Sequence, residues 1–255
     1  MPLLGLGTSH QGGHSQAALQ HWLQLGGRLV DTAQRYGCQG VVREAMRKSG
    51  VESEGVFLTD KVWPGNYSRA RESVMEEMSL LGVEYLDLLL LHWPGGEGVE
   101  GAWRDLELLL EEGVVRAIGV SNFLQRHLER LLKTASVVPH VNQIEWHPYQ
   151  QNDELLAHCQ ELGVVVEGYS PLGKGLCLRD PTIVSISKEL GVTPAQVCVR
   201  WSLERGVVTI PKSTKVERVE ENMAVWGFSL TQPQMEAVNG LHRGERVTWD
   251  PDTVP

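Results

Sequence analysis

Eight short apolar runs recur along this sequence, and amphipathic stretches of roughly 10 to 14 residues separate them, the pattern of parallel strands joined by crossover helices. The runs are LLGLGT from residue 3, RLVDT from 28, VFLTDKV from 56 and YLDLLLLH from 85. They continue with VRAIGVS from 115, HVNQIEW from 140, VVVEGYS from 164 and VVTIPKS from 207. Eight strands alternating with about as many helices predict an α/β chain folded as a (β/α)8 TIM barrel. A length of 255 residues suits one such domain, so residues 1–255 are expected to form a single barrel. The competing fold, an open doubly wound sheet, wants a glycine-rich turn and an immediate helix after its first strand. GLGTSHQGG offers neither a GxGxxG pattern nor that helix.

The intervening stretches carry helical signals. In SRARESVMEEMSLLG, Val74, Met78 and Leu81 fall on one face. In DELLAHCQELG, Asn152 and Asp153 supply capping oxygens and Gly163 a stop, and Gly82, Gly113, Gly191 and Gly206 close other helices.

A net charge of −9 argues against a general binder of nucleic acid or of membrane surfaces, because a polyanion is repelled on average. It leaves room for a local basic pocket holding one phosphorylated ligand. Cys38, Cys159, Cys177 and Cys198 are widely spaced, with no CxxC pair and no metal-like grouping, and read as reduced, packed thiols. The longest apolar run, Leu88 to Leu91, is too short to span a bilayer, and no basic region precedes the first apolar residues. A cytoplasmic location and no metal are expected.

Barrels of this class carry their chemistry at the C-terminal ends of the strands. Those positions hold Asp31, Lys61, His92, Ser121 with Asn122, Gln143, Tyr169 and Lys212. One polar strand end is ordinary; seven of eight converging on one opening is a site. Tyr36 follows the second run in a glycine-flanked turn. A free phenol has a pKa near 10, and a nearby ammonium lowers it. Lys61 can supply that ammonium, Asp31 can hold the lysine charged, and His92 can hydrogen-bond a bound oxygen. The set has no base-activated nucleophile. It fits protonation of a carbonyl oxygen while a hydride arrives from a nicotinamide, since no side chain donates a hydride.

Seven segments carry a resemblance beyond this chemistry: DTAQRYG, LTDKVWP, LLLLHWP, IGVSNF, VNQIEWHP, YSPLG and IPKSTKVERVEEN. In these motifs, and in their order, the chain resembles the aldo-keto reductases over nearly its whole length. The resemblance implies reduction of small aldehydes or ketones, with Asp31, Tyr36, Lys61 and His92 as a catalytic tetrad and Tyr36 as the general acid. It implies that Ser121, Asn122 and Gln143 bind the nicotinamide carboxamide and that Tyr169 stacks on the ring, with Ser170 and Leu172 beside it. Lys212, Ser213 and Arg218 match the family's positions for the 2′-phosphate of NADPH, with Thr214 among them, and Glu221 and Asn222 match those for the adenine. Taken alone, that last run reads as a solvated, mixed-charge helix; within the resemblance it favours NADPH over NADH. Monomer is the family's usual state.

The sequence also departs from the family pattern. It has no β-hairpin before the first barrel strand, only PGGEGVEG between the HWP motif and the next helix, and little after WDPDTVP, so a more open substrate mouth is expected. Ser9 stands where a tryptophan often follows the first strand. Trp63 and Trp93 are expected as apolar walls for substrate, with rim packing as the alternative. His147 reads as structural. His10 and His14 lie in a glycine-rich loop that reads as solvated, with substrate contact as the alternative. Two other functions compete: an NADPH-binding sensor or scaffold with little turnover, and a phosphosugar isomerase or aldolase. The first has no need for Lys61 behind Tyr36, and the second wants a carboxylate base or Schiff-base lysine without a nicotinamide site.

Overall fold

In a computed structural model describing residues 1–9 and 12–254, all eight apolar runs are strands. They are β1 (Gly5–Gly7), β2 (Leu29–Asp31), β3 (Phe57–Val62), β4 (Leu88–Leu91), β5 (Ile118–Ser121), β6 (Val141–Glu145), β7 (Val165–Tyr169) and β8 (Val208–Ile210). They pair in parallel and in sequence order. Thr209 N–H donates to Leu3 O at 3.0 Å and Gly7 N–H to Pro211 O at 3.2 Å, which brings the last strand back to the first. The chain is a (β/α)8 barrel.

β4 shows why its sequence reads as unbroken leucine. Leu88 and Leu90 point into the barrel against Val141, whereas Leu89 and Leu91 face outward into the helical layer. A strand buried on both faces has no polar alternation to display. Leu29, Val208 and Ile210 fill another part of the interior, and Phe57 packs against both groups. Gly119 lets β5 approach β6 closely, because a Cβ there would lie 2.5 Å from Val141 O.

The outer layer comprises α1 (Gln16–Gln24), α2 (Gln39–Ser49), α3 (Ala70–Leu81), α4 (Val99–Glu111) and α5 (Gln125–Leu131). It continues with α6 (Asp153–Glu161), α7 (Pro181–Leu190), α8 (Pro194–Glu204), α9 (Val216–Met223) and α10 (Gln232–Asn239). Val74, Met78 and Leu81 of α3 are buried, as their spacing predicts. Asn152 caps α6 by accepting from Leu155 N–H at 3.1 Å. Simple alternation fails in two places: α7 and α8 both lie between β7 and β8, and α9 and α10 both follow the last strand. Gly191, at φ 66°, ends α7, and Thr193 with Pro194 at once caps a new helix. All four cysteines are buried and unbridged. Among the described residues, no helix is long and apolar enough to cross a membrane.

Candidate active site

β2 and β3 bring Asp31 and Lys61 side by side at the barrel mouth. Lys61 Nζ donates to Asp31 Oδ2 at 2.6 Å and to Thr32 O at 2.8 Å, with both charged side chains buried. Burial pulls the ammonium down, but Asp31, Tyr36 and Glu167 outweigh it and hold the lysine charged. Just past β2, a short 3₁₀ turn over Gln34–Tyr36 carries the tyrosine ring over the pair. Lys61 Nζ lies 5.1 Å from the Tyr36 ring centroid, and the His92 imidazole meets that ring edge-on at 5.7 Å. The four residues expected to carry the chemistry are therefore neighbours. One expectation changes sign. Burial pushes the Tyr36 phenol up to about 12, and the opposing pull of Lys61 does not restore it to the ordinary value. In this pocket the phenol is held protonated, a donor rather than a base.

On the other side of the mouth, β5, β6 and β7 present a linked polar set. Ser121 Oγ donates to Gln143 O at 3.0 Å, Asn122 Nδ2 donates to Ser121 Oγ at 3.0 Å and to His92 O at 3.1 Å, and Tyr169 OH donates to Asn122 Oδ1 at 2.7 Å. Asn122, Ser170 and Lys174 all have positive φ without being glycine. Such backbone is disfavoured and tends to gather at ligand sites. These residues, with Asp31, Tyr36, Trp63, His92, Trp93, Gln143, Tyr169 and Lys212, line a cavity of about 420 Å³.

The rest of the expected set lies at the rim. Ser213 sits beside Lys212 in a shallow side pocket with His14, whose Nε2 is 3.1 Å from Tyr36 O. Thr214 is half-buried and Arg218 is exposed on α9. Asn222 is buried, and Glu221 accepts from the Thr193 hydroxyl. Leu172 is half-buried against the core. None of these six lines the deep cavity. His10 lies outside the described residues.

The sequence matches the profile of the Aldo/keto reductase family over residues 3–243. This chain belongs to the aldo-keto reductase family. It is 39% identical to the glyoxal reductase of Bacillus subtilis (strain 168), an alignment covering 100% of this chain and 94% of that one. The crystal structure of an aldo-keto reductase from a Medee basin deep-sea metagenome library superposes with a TM-score of 0.95, at 34% identity, covering 100% of this chain and 96% of the other. A Bombyx mori aldo-keto reductase in complex with NADP superposes with a TM-score of 0.92, at 28% identity, covering 99% and 92%.

In this aldo-keto reductase the segment after α10 returns to the mouth, contrary to the expectation that little covers it. Glu145 Oε1 accepts from Val247 N–H at 2.6 Å, Glu145 Oε2 accepts from the Thr248 hydroxyl, and that hydroxyl lies 2.9 Å from Tyr169 OH. His147, structural as expected, is buried with Nε2 at 2.9 Å from Glu145 Oε1. Trp249 packs against Trp63 and Trp93 at ring separations of 5.8 and 6.0 Å. Sequence reasoning missed Thr248 and Trp249 because nothing local marks a segment that folds back. It also missed Glu167, buried in β7, which accepts from Gln143 Nε2 at 2.6 Å while the same nitrogen donates to Asp31 Oδ2 at 2.8 Å. Burial, and then Asp31, push the Glu167 carboxyl well up. Strand parity was the available signal: Glu167 stands two residues before Tyr169, on the same face of β7.

Proposed function

We propose that this oxidoreductase reduces small aldehydes or ketones to alcohols with NADPH, Tyr36 serving as the general acid. The observation that carries the reading is the packing of the Tyr36 ring against both the buried Lys61 ammonium and the His92 imidazole. A nicotinamide bound here would supply the hydride. His92 orients the carbonyl oxygen toward the phenol. The Tyr36 O–H bond would break in the reduction, its proton passing to the carbonyl oxygen. The phenolate left behind is stabilised by Lys61 and regains its proton from solvent.

The chain fits a nicotinamide. Both Gln143 amide hydrogens are engaged by Asp31 and Glu167, so its carbonyl oxygen is the group offered to a carboxamide N–H. Ser121 and Asn122 supply the neighbouring polar atoms, and Tyr169, with Ser170 and Leu172 beside it, offers an aromatic face for stacking. Lys212, Ser213, Thr214 and Arg218 would hold the 2′-phosphate, and Glu221 and Asn222 the adenine. Burial depresses the Lys212 ammonium, which a bound phosphate would counteract. The name of the Bacillus relative, a glyoxal reductase, and the NADP held by the Bombyx relative support an aldehyde and this cofactor. Trp63 and Trp93 would form the substrate walls. The reading also takes the protein as a single-domain, monomeric, cytoplasmic enzyme that binds no metal.

The test is oxidation of NADPH and of NADH over a panel of carbonyl compounds. NADPH should be preferred, and Arg218→Leu should raise the KM for NADPH about tenfold while changing that for NADH little. Equal losses with both cofactors would remove Arg218 from the 2′-phosphate site. Tight NADPH binding with no turnover of any carbonyl would favour the sensor.

A further inference from the structure

The cavity is basic in a protein that is acidic overall. The chain carries a net charge of −9, yet among the described residues lining the cavity Asp31 is the only carboxylate, and Lys61 neutralises it. The lining cations are Arg35, Lys174 and Lys212. Lys174 and Lys212 follow β7 and β8, on the side proposed for the cofactor. Arg35 does not. It precedes Tyr36 in the turn after β2, on the side of Trp63, His92 and Trp93.

Arg35 is held there without an acid. Its guanidinium lies 4.2 Å from the Trp63 ring centroid and 4.9 Å from that of Trp249, and among the described residues no carboxylate pairs with it. Stacking fixes the plane of a guanidinium while leaving its N–H edge available, and that edge matches a carboxylate through two parallel hydrogen bonds. The Trp63 ring that carries Arg35 also meets the His92 imidazole edge-on at 5.2 Å. The cation therefore stands one indole away from the ring proposed to orient the carbonyl oxygen, and aromatic surface fills the space between.

We propose that Arg35 is an anion-recognition residue and that the preferred substrates are aldehydes bearing a carboxylate at the far end of a short apolar or aromatic spacer. The indoles of Trp63, Trp93 and Trp249 take the spacer, and Arg35 takes the carboxylate. A singly charged carboxylate is favoured over a phosphate because this side of the cavity offers one cation amid indole surface, where a second negative charge would be uncompensated. Arg35 is exposed at the rim, so its attraction for an entering anion is screened and the preference weakens as salt rises.

This inference rests on the proposed carbonyl reduction, and its test separates the two. Reduction of para-carboxybenzaldehyde is compared with that of the neutral para-formylbenzamide. The wild type should favour the acid in kcat/KM at least about tenfold, the scale of one charge-assisted bidentate contact, and mainly through KM. Arg35→Gln should erase that ratio, and Arg35→Lys should restore part of it. Equal kcat/KM for acid and amide in the wild type would overturn the proposal. So would an Arg35→Gln variant that slows both substrates alike, as expected if the residue only props Tyr36. In parallel, tryptophan fluorescence is titrated with para-(hydroxymethyl)benzoate, the monoanionic reduction product, with no cofactor present. Binding lost in Arg35→Gln supports the anion site even if neither aldehyde turns over, an outcome that would sink the carbonyl-reductase reading alone. Equal binding by both proteins would sink the anion site.

Discussion

Two buried ionisable residues, adjacent on β3, have opposite fates. Lys61 has Asp31 at 2.6 Å and stays charged. Asp60, on the outward face and wholly buried, is pushed up to about 7 by burial, with the Lys61 backbone N–H pulling back and Glu77 adding to the rise. The folded protein thus holds a proton that an unfolded Asp60 releases near 4, so stability falls as pH rises from about 4 to about 7 and then levels. Asp60→Asn should raise Tm, by at least about 3 °C at pH 8 and by less at pH 5. A Tm gain independent of pH would rule out this titration. Lys61→Met tests the other residue. Without the ammonium the Tyr36 phenol is a weaker acid, so reduction should slow and its alkaline limb should move to higher pH. The Asp31→Asn/Lys61→Met double variant avoids a stranded buried carboxylate, which would cost about 3–5 kcal/mol. An unchanged pH profile in the double variant would contradict tuning by Lys61. Asp31, Lys61 and His92 were legible because each interrupts or ends an apolar run. The net rise of the Tyr36 phenol was not, because the balance of burial against a nearby charge depends on how much of the ring the fold covers.

At the scale of elements, the strands were legible because burial on both faces leaves continuous apolar runs such as LLLL, which turn residues then bound. The split of α7 from α8 was written locally too, in Gly191, read as a helix stop, and in the Thr193–Pro194 cap that follows it. The closing segment was not legible. Its anchor on Glu145 spans 102 residues to Val247, and no periodicity reports a contact that distant. Thr248 joins the segment to both Glu145 and Tyr169, so Thr248→Val should loosen it while keeping side-chain shape. Limited trypsin digestion reads the effect. Cleavage after Arg243 or Arg246 should speed about fivefold, the worth of roughly one hydrogen bond in the opening equilibrium. Unchanged cleavage would mean that the Val247–Glu145 bond and the packing of Trp249 hold the segment without Thr248.

Across the whole molecule, the residues of the mouth sort by strand. The ends of β2, β3 and β4 gather Tyr36, Lys61, His92, Trp63 and Trp93, whereas β5 to β8 gather Ser121, Asn122, Gln143, Tyr169 and Lys212. Parallel strands closed into a ring place both halves on one opening, which is why residues spread from 31 to 212 were assignable to one site once a barrel was inferred. The rim residues from Ser213 to Asn222 are singled out only by the family's motif, since a mixed-charge helix looks the same whether it meets solvent or a phosphate. If the halves act separately, proton donation can be removed without disturbing the cofactor side. The direct measurement is Tyr36→Phe, with NADPH affinity by fluorescence titration and single-turnover reduction of a simple aldehyde on the same preparation. Affinity should stay within about twofold while the rate falls at least about 100-fold, the lower range for general acid catalysis. Near-full turnover in Tyr36→Phe would contradict the assignment of Tyr36 as the acid.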